Sequence, residues 1–79
     1  MTNKIIQKNI KLSSEFDNYI SGNTSVLRRI PKGVHIVITS SNDKALSDAN
    51  ISIARDSRTG RFVEAHKSDG KWHIRSFKR

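Results

Sequence analysis

The chain has 79 residues, no cysteine, 15 Lys and Arg against seven Asp and Glu, and a formal net charge of +8. That length fits one domain, and the lack of cysteine excludes a disulfide framework or a Cys-ligated zinc site as a source of stability. No run approaches the ~20 apolar residues of a membrane span, and Met1 to Leu12, where Lys4, Lys8 and Lys11 break up Ile5, Ile6 and Ile10, is too polar for a secretory signal, so a cytoplasmic protein is expected.

Residues 1–9 read as a loose arm or a short extra element ahead of the first helix. Leu12, Phe16, Tyr19 and Ile20 then recur at i, i+4, i+7 and i+8, which is one face of a helix. Ser13 or Ser14 can cap its start, Glu15 suits the positive end of its dipole, and Gly22 with Asn23 can end it. A short second helix is expected next, capped by Thr24 or Ser25. Val26, Leu27 and Ile30 would point inward, and Pro31 stops the helix.

Val34 to Thr39 is β-branched and almost wholly apolar, which reads as a central strand covered on both faces. Asn42 or Asp43 can cap a helix over about residues 43–57, with Leu46, Ala49, Ile53 and Ala54 on its inner face and Ile51 off it. Arg58-Thr59-Gly60 is a turn. Phe62–Lys67 and Lys71–Phe77 then form a hairpin around Asp69-Gly70, a pair that favours a two-residue type I′ turn. That turn sets Lys67 opposite Trp72, His66 opposite His73, Ala65 opposite Ile74, Glu64 opposite Arg75, and Phe62 opposite Phe77. A three-residue loop, Ser68-Asp69-Gly70, would undo the ion pair and the aromatic pair together.

The expected fold class is α+β. A small single-layer sheet in α-β-α-β-β order ends in a C-terminal β-hairpin, with two main helices packed on the sheet. The strand–helix–strand unit at 34–67 implies a parallel pair. Apolar residues make up 34% of the chain, with one Trp, one Tyr and three Phe. A core that small leaves a homodimer interface or a bound partner open as further sources of stability.

Lys8-Asn9-Ile10-Lys11-Leu12-Ser13-Ser14-Glu15-Phe16-Asp17-Asn18-Tyr19, followed by Arg29-Ile30-Pro31 and Ile36-Val37, resembles a family of small bacterial proteins of uncharacterised function. The likeness runs over about residues 8–55. It implies a helix, a turn, an apolar strand and a second helix, and it brings no activity. The hairpin lies outside it.

Charge is the main functional clue. Residues 61–79 hold six basic side chains against two acids, half of the net charge. The natural partner of such a chain is a polyanion, so nucleic acid comes first and an acidic protein second; a membrane surface is not expected. Arg58, Arg61, Lys67, Lys71, Arg75 and Lys78 can form a phosphate clamp, with Trp72 stacking on an unpaired base. Against this, arginines near a helix end also stabilise its dipole, and a lone Trp is more often core. Arg28, Arg29 and Lys32 form a second basic cluster that either stays a solvated corner or continues the patch.

No nucleotide loop, serine-hydrolase elbow, zinc-protease motif or cysteine nucleophile is present, so no cofactor or metal is expected. His66 and His73, with Arg75 nearby, are the one arrangement suited to metal-independent RNA cleavage; the plainer reading is a surface pair. His35 reads as a core or edge histidine rather than a ligand. The leading expectation is a non-catalytic module binding RNA or single strands. Its alternatives are a protein-interaction component of a bacterial regulatory or toxin–antitoxin pair, and a small ribonuclease.

Overall fold

The computed structural model describes residues 2–57 and 60–77. Its elements are α1 (Asn3–Ser21), α2 (Thr24–Arg28), β1 (His35–Ser40), α3 (Lys44–Asp56), β2 (Phe62–Ser68) and β3 (Lys71–Ser76). The fold is α+β. One three-stranded sheet in the order β1-β2-β3 ends in the C-terminal hairpin.

The apolar stripe of α1 lies where the periodicity puts it. Phe16 is buried, and Leu12, Tyr19 and Ile20 are half-buried beside it. The start of the helix differs from the expectation. Thr2 is the N-cap, its hydroxyl accepting from the Ile5 N–H at 3.2 Å, so Ser13 and Ser14 sit in mid-helix. The segment expected as an arm supplies the first turns instead. Two polar contacts tie it to α3: Lys8 Nζ lies 2.7 Å from Asp43 Oδ2, and Asn9 and Asn50 exchange side-chain amide bonds of 2.7 and 3.0 Å.

α2 buries Val26, and Ile30 just beyond its C-cap is half-buried, but Leu27 is exposed rather than inward. Its N-cap position is Asn23, not Thr24 or Ser25. The Asn23 amide donates instead to the Tyr19 carbonyl at 2.7 Å, closing the end of α1.

β1 and β2 are parallel, in register from His35↔Phe62 to Ser40↔Lys67. The consecutive residues Val37, Ile38 and Thr39 are all buried, so both faces of β1 are covered as expected. The strand is nevertheless an edge, and β2 is central. What gives β1 its buried character is α3, which lies along its open side. Ser47 Oγ accepts from the Ser40 N–H at 2.8 Å and donates to the Ser40 carbonyl at 3.0 Å, and Asn50 Nδ2 donates to the Ile38 carbonyl at 2.8 Å. These bonds satisfy backbone groups that a further strand would otherwise pair.

The same bonds shift the inner face of α3. Asp43 caps the helix, accepting from Leu46 N–H at 3.1 Å. Leu46 and Ala54 are buried and Ala49 is half-buried, but Ile53 is 56% exposed. The strand needs hydrogen-bonding partners, so Ser47 and Asn50 take inward positions. A stripe read from apolar residues alone therefore comes out rotated.

The hairpin has the expected two-residue turn. Asp69 (φ 52°) and Gly70 (φ 75°) are both left-handed, as type I′ requires. The register is Glu64↔Arg75, Ala65↔Ile74, His66↔His73 and Lys67↔Trp72. Phe77 N–H donates to the Phe62 carbonyl at 3.3 Å, and the two rings meet edge-on with centroids 6.2 Å apart. Ala65, wholly buried at the middle of the central strand, leaves room for the helices above it.

Candidate nucleic-acid interface

Side chains alternate between the faces of a sheet, and this sorts the basic residues of the hairpin. Lys67 and Trp72 point toward α1. There Lys67 pairs with Glu15, and the Trp72 ring lies 5.0 Å from that of Phe16, tilted by 60°. Lys67 Nζ also sits 5.9 Å from the Trp72 ring centre. Lys71, His73 and Arg75 form an exposed row on the opposite face. The residues expected as one clamp are thus divided between two faces. Arg58 and Lys78 lie outside the described residues.

The structure assembles a different basic group. A cleft of about 390 Å³ at the end of the sheet is lined by Arg29, Arg61 and Arg75 together with Phe62 and Phe77. Arg29 is the C-cap of α2, Arg61 precedes β2, and Arg75 is on β3. The second basic cluster therefore continues the hairpin's patch through Arg29. His35 stacks beside Phe62 at 5.1 Å and extends the aromatic row; it is exposed, at the edge rather than in the core. Gly60 makes this approach feasible, because its φ is +88° and a β-carbon there would stand 2.8 Å from the His35 ring.

Arg75 is also the outer end of a polar chain that crosses all three strands. Its Nε and Nη2 donate to Glu64 Oε1 and Oε2 at 2.9 and 3.0 Å. Thr39 Oγ1 donates to Glu64 Oε2 at 2.6 Å and lies 2.7 Å from His66 Nδ1. Thr39 is 2% exposed and the Glu64 side chain 12%. The Arg75 guanidinium, opposed by burial and helped by the Thr39 hydroxyl, holds the Glu64 carboxyl below its ordinary value of 4.5. In return Glu64 raises Arg75. Thr39 is the member that sequence reasoning missed. Its one signal is a hydroxyl amid the apolar residues of β1.

A family model, described as a family of unknown function (DUF5647), matches residues 4–72. The chain belongs to this family. The match takes in α1 from its second residue, α2, β1, α3, β2 and the turn of the hairpin, and it ends at the second residue of β3. No curated protein and no solved structure matches the chain. Among the described residues of this DUF5647 member, no group of three His, Asp or Glu side chains could hold a metal ion, and no helix is long and apolar enough to cross a membrane.

Proposed function

We propose that the chain binds single-stranded nucleic acid, RNA foremost, at the sheet end and along the exposed row of β3. The observation that carries this reading is the convergence of Arg29, Arg61 and Arg75 on a cleft walled by Phe62 and Phe77. Arginine pairs with phosphate through a planar fork, and aromatic rings stack on unpaired bases. Among the described residues, Arg75 pairs with Glu64 through Nε and Nη2, which leaves its Nη1 donors for a ligand. A duplex reader would present a helix with a basic outer face. α3 carries Lys44 paired with Asp48 at 2.6 Å, and Asp56 beside Arg55, which suits a groove lined by phosphates poorly.

The test is fluorescence anisotropy with labelled single-stranded RNA, single-stranded DNA and duplex DNA over a salt series. Arg29→Ala and Arg61→Ala should each weaken single-strand binding by roughly tenfold. Each should also reduce the salt slope by about 0.7 for every phosphate that is no longer neutralised. Equal, salt-fragile binding to all three polymers, or affinity indifferent to both substitutions, would refute the cleft as the site.

A second reading has its own observation. Ile6 (43%), Ile10 (66%) and Ile53 (56%) are large apolar side chains left in solvent. Ile6 and Ile10 line one depression on α1 with Asn9 and Ser13, and Ile53 lines the adjoining one with the same two residues. A protein partner in a bacterial regulatory pair would cover such a surface. Ile10→Asp is expected to abolish co-purification of that partner while leaving nucleic-acid affinity within twofold. A parallel loss of both would merge the two surfaces.

A further inference from the structure

The geometry points to a metal-independent RNA phosphodiester cleavage site at His66 and His73, in which buried Thr39 and half-buried Glu64 fix His66 as the general base. The site shares the β3 face with the proposed nucleic-acid interface and rests on that reading for substrate affinity.

A threonine hydroxyl has one proton. Glu64, ionised against Arg75, has none to give, so at 2.6 Å Thr39 must donate to it. Thr39 Oγ1 can then only accept from His66, 2.7 Å away, which places the imidazole proton on Nδ1. Nε2, on the far side of the ring, is left with the lone pair. This is the arrangement by which a carboxylate orients a catalytic histidine, here acting through a hydroxyl. A histidine that merely decorated a surface strand would need no nearly buried carboxylate and hydroxyl behind it.

The rest of the site stands opposite. His73 is the cross-strand partner of His66 and is exposed. Phe62 and Phe77 form a hydrogen-bonded pair, and such pairs alternate along an antiparallel ladder, so His66 and His73 form one too. Their α-carbons are then about 5.5 Å apart. The bond to Thr39 draws the His66 ring toward β1, away from β3. Lys71 and Arg75 flank His73 on the same face and can neutralise a phosphate between the rings.

The step balances without a co-reactant. His66 Nε2 takes the proton of a ribose 2′-hydroxyl, and the 2′-oxygen forms a bond to the adjacent phosphorus. The bond from phosphorus to the 5′-oxygen breaks with its electron pair going to that oxygen. Protonated His73 supplies the proton it needs. The products are a 2′,3′-cyclic phosphate and a 5′-hydroxyl, and exchange with water restores both histidines.

The experiment uses the full chain with EDTA present, a labelled mixed-sequence single-stranded RNA, and the same sequence with every 2′-hydroxyl methylated. The methylated RNA should bind and stay intact, while the unmodified RNA should yield cyclic-phosphate and 5′-hydroxyl ends. His73→Ala, at an exposed position, and His66→Ala should each slow cleavage by 100-fold or more when measured at RNA concentrations that saturate each variant. Thr39→Val should slow it as well, and Thr39→Ser should restore it, as befits a positioning residue. Methylated RNA bound and unmodified RNA left intact overturns the cleavage site alone. Failure to bind either RNA overturns the binding reading and the site with it. Cleavage that survives His73→Ala belongs to another nuclease and also overturns the site.

Discussion

Leu46→Ala should lower the unfolding free energy by about 2–5 kcal/mol, the range for emptying a buried leucine site. Leu46 is 0% exposed and sits in the first turn of α3, just inside the Asp43 cap. A domain of this size is stable by roughly 4–12 kcal/mol, so one side chain controls a large share of the total. The thermal midpoint should fall by about 8–40 °C, given about 4–8 °C per kcal/mol for small domains. Urea melts followed by Trp72 fluorescence and by circular dichroism measure it. Ile53→Ala is the matched control. Ile53 is 56% exposed, and its loss should cost no more than about 0.5 kcal/mol. Comparable losses at both positions would mean that α3 turns the face read from its apolar residues toward the strand, and not the face carrying Ser47 and Asn50.

The second large effect lies in the chain Arg75–Glu64–Thr39–His66. Thr39→Val keeps the shape of a buried residue and removes the hydroxyl that serves both Glu64 and His66. Leaving such groups unsatisfied costs about 1–3 kcal/mol. The loss should depend on pH, and the sign follows from Glu64. Its folded pKa is depressed, chiefly by Arg75. The stability it contributes is therefore complete above 4.5, the ordinary value, and is lost as pH falls through the lower folded value. Glu64→Gln should accordingly destabilise the chain at neutral pH and flatten the decline of stability below about pH 5. Urea midpoints taken from pH 7 down to pH 3 test this. A decline as steep in Glu64→Gln as in the parent would assign acid unfolding to other carboxylates, with Asp43, lowered by its bond to Lys8, the first to examine.

The features legible in the sequence are those set by local signals. Asp69-Gly70 admits essentially one tight turn, and from it the whole hairpin register follows, down to Glu64↔Arg75 and His66↔His73. The stripe from Leu12 to Ile20 and the Asp43 cap are likewise written within a few residues. The misread features depend on partners far along the chain. The first turns of α1 are held by Lys8 to Asp43 and Asn9 to Asn50, and no window around residue 9 contains Asn50. β1 reads as a central strand because burial and centrality leave the same apolar signature, and here α3 supplies the burial. The candidate site divides in the same way. The opposed histidines are readable from the turn, whereas the Arg29–Arg61–Arg75 cleft requires the path of α2, and Thr39 requires the parallel pairing that sets it beside His66.

The side chains of α3 that bind the outer backbone of β1 also limit how the sheet can grow. With the Ser40 N–H and the Ser40 and Ile38 carbonyls already engaged, an incoming strand finds few partners on that side. Among the described strands, β3 is the other border, and it is studded with Lys71 and Arg75. Assembly by strand addition therefore has one available seam. Two copies joined there would use up both seams and close as a pair, so the fold is guarded against stacking into open-ended fibres.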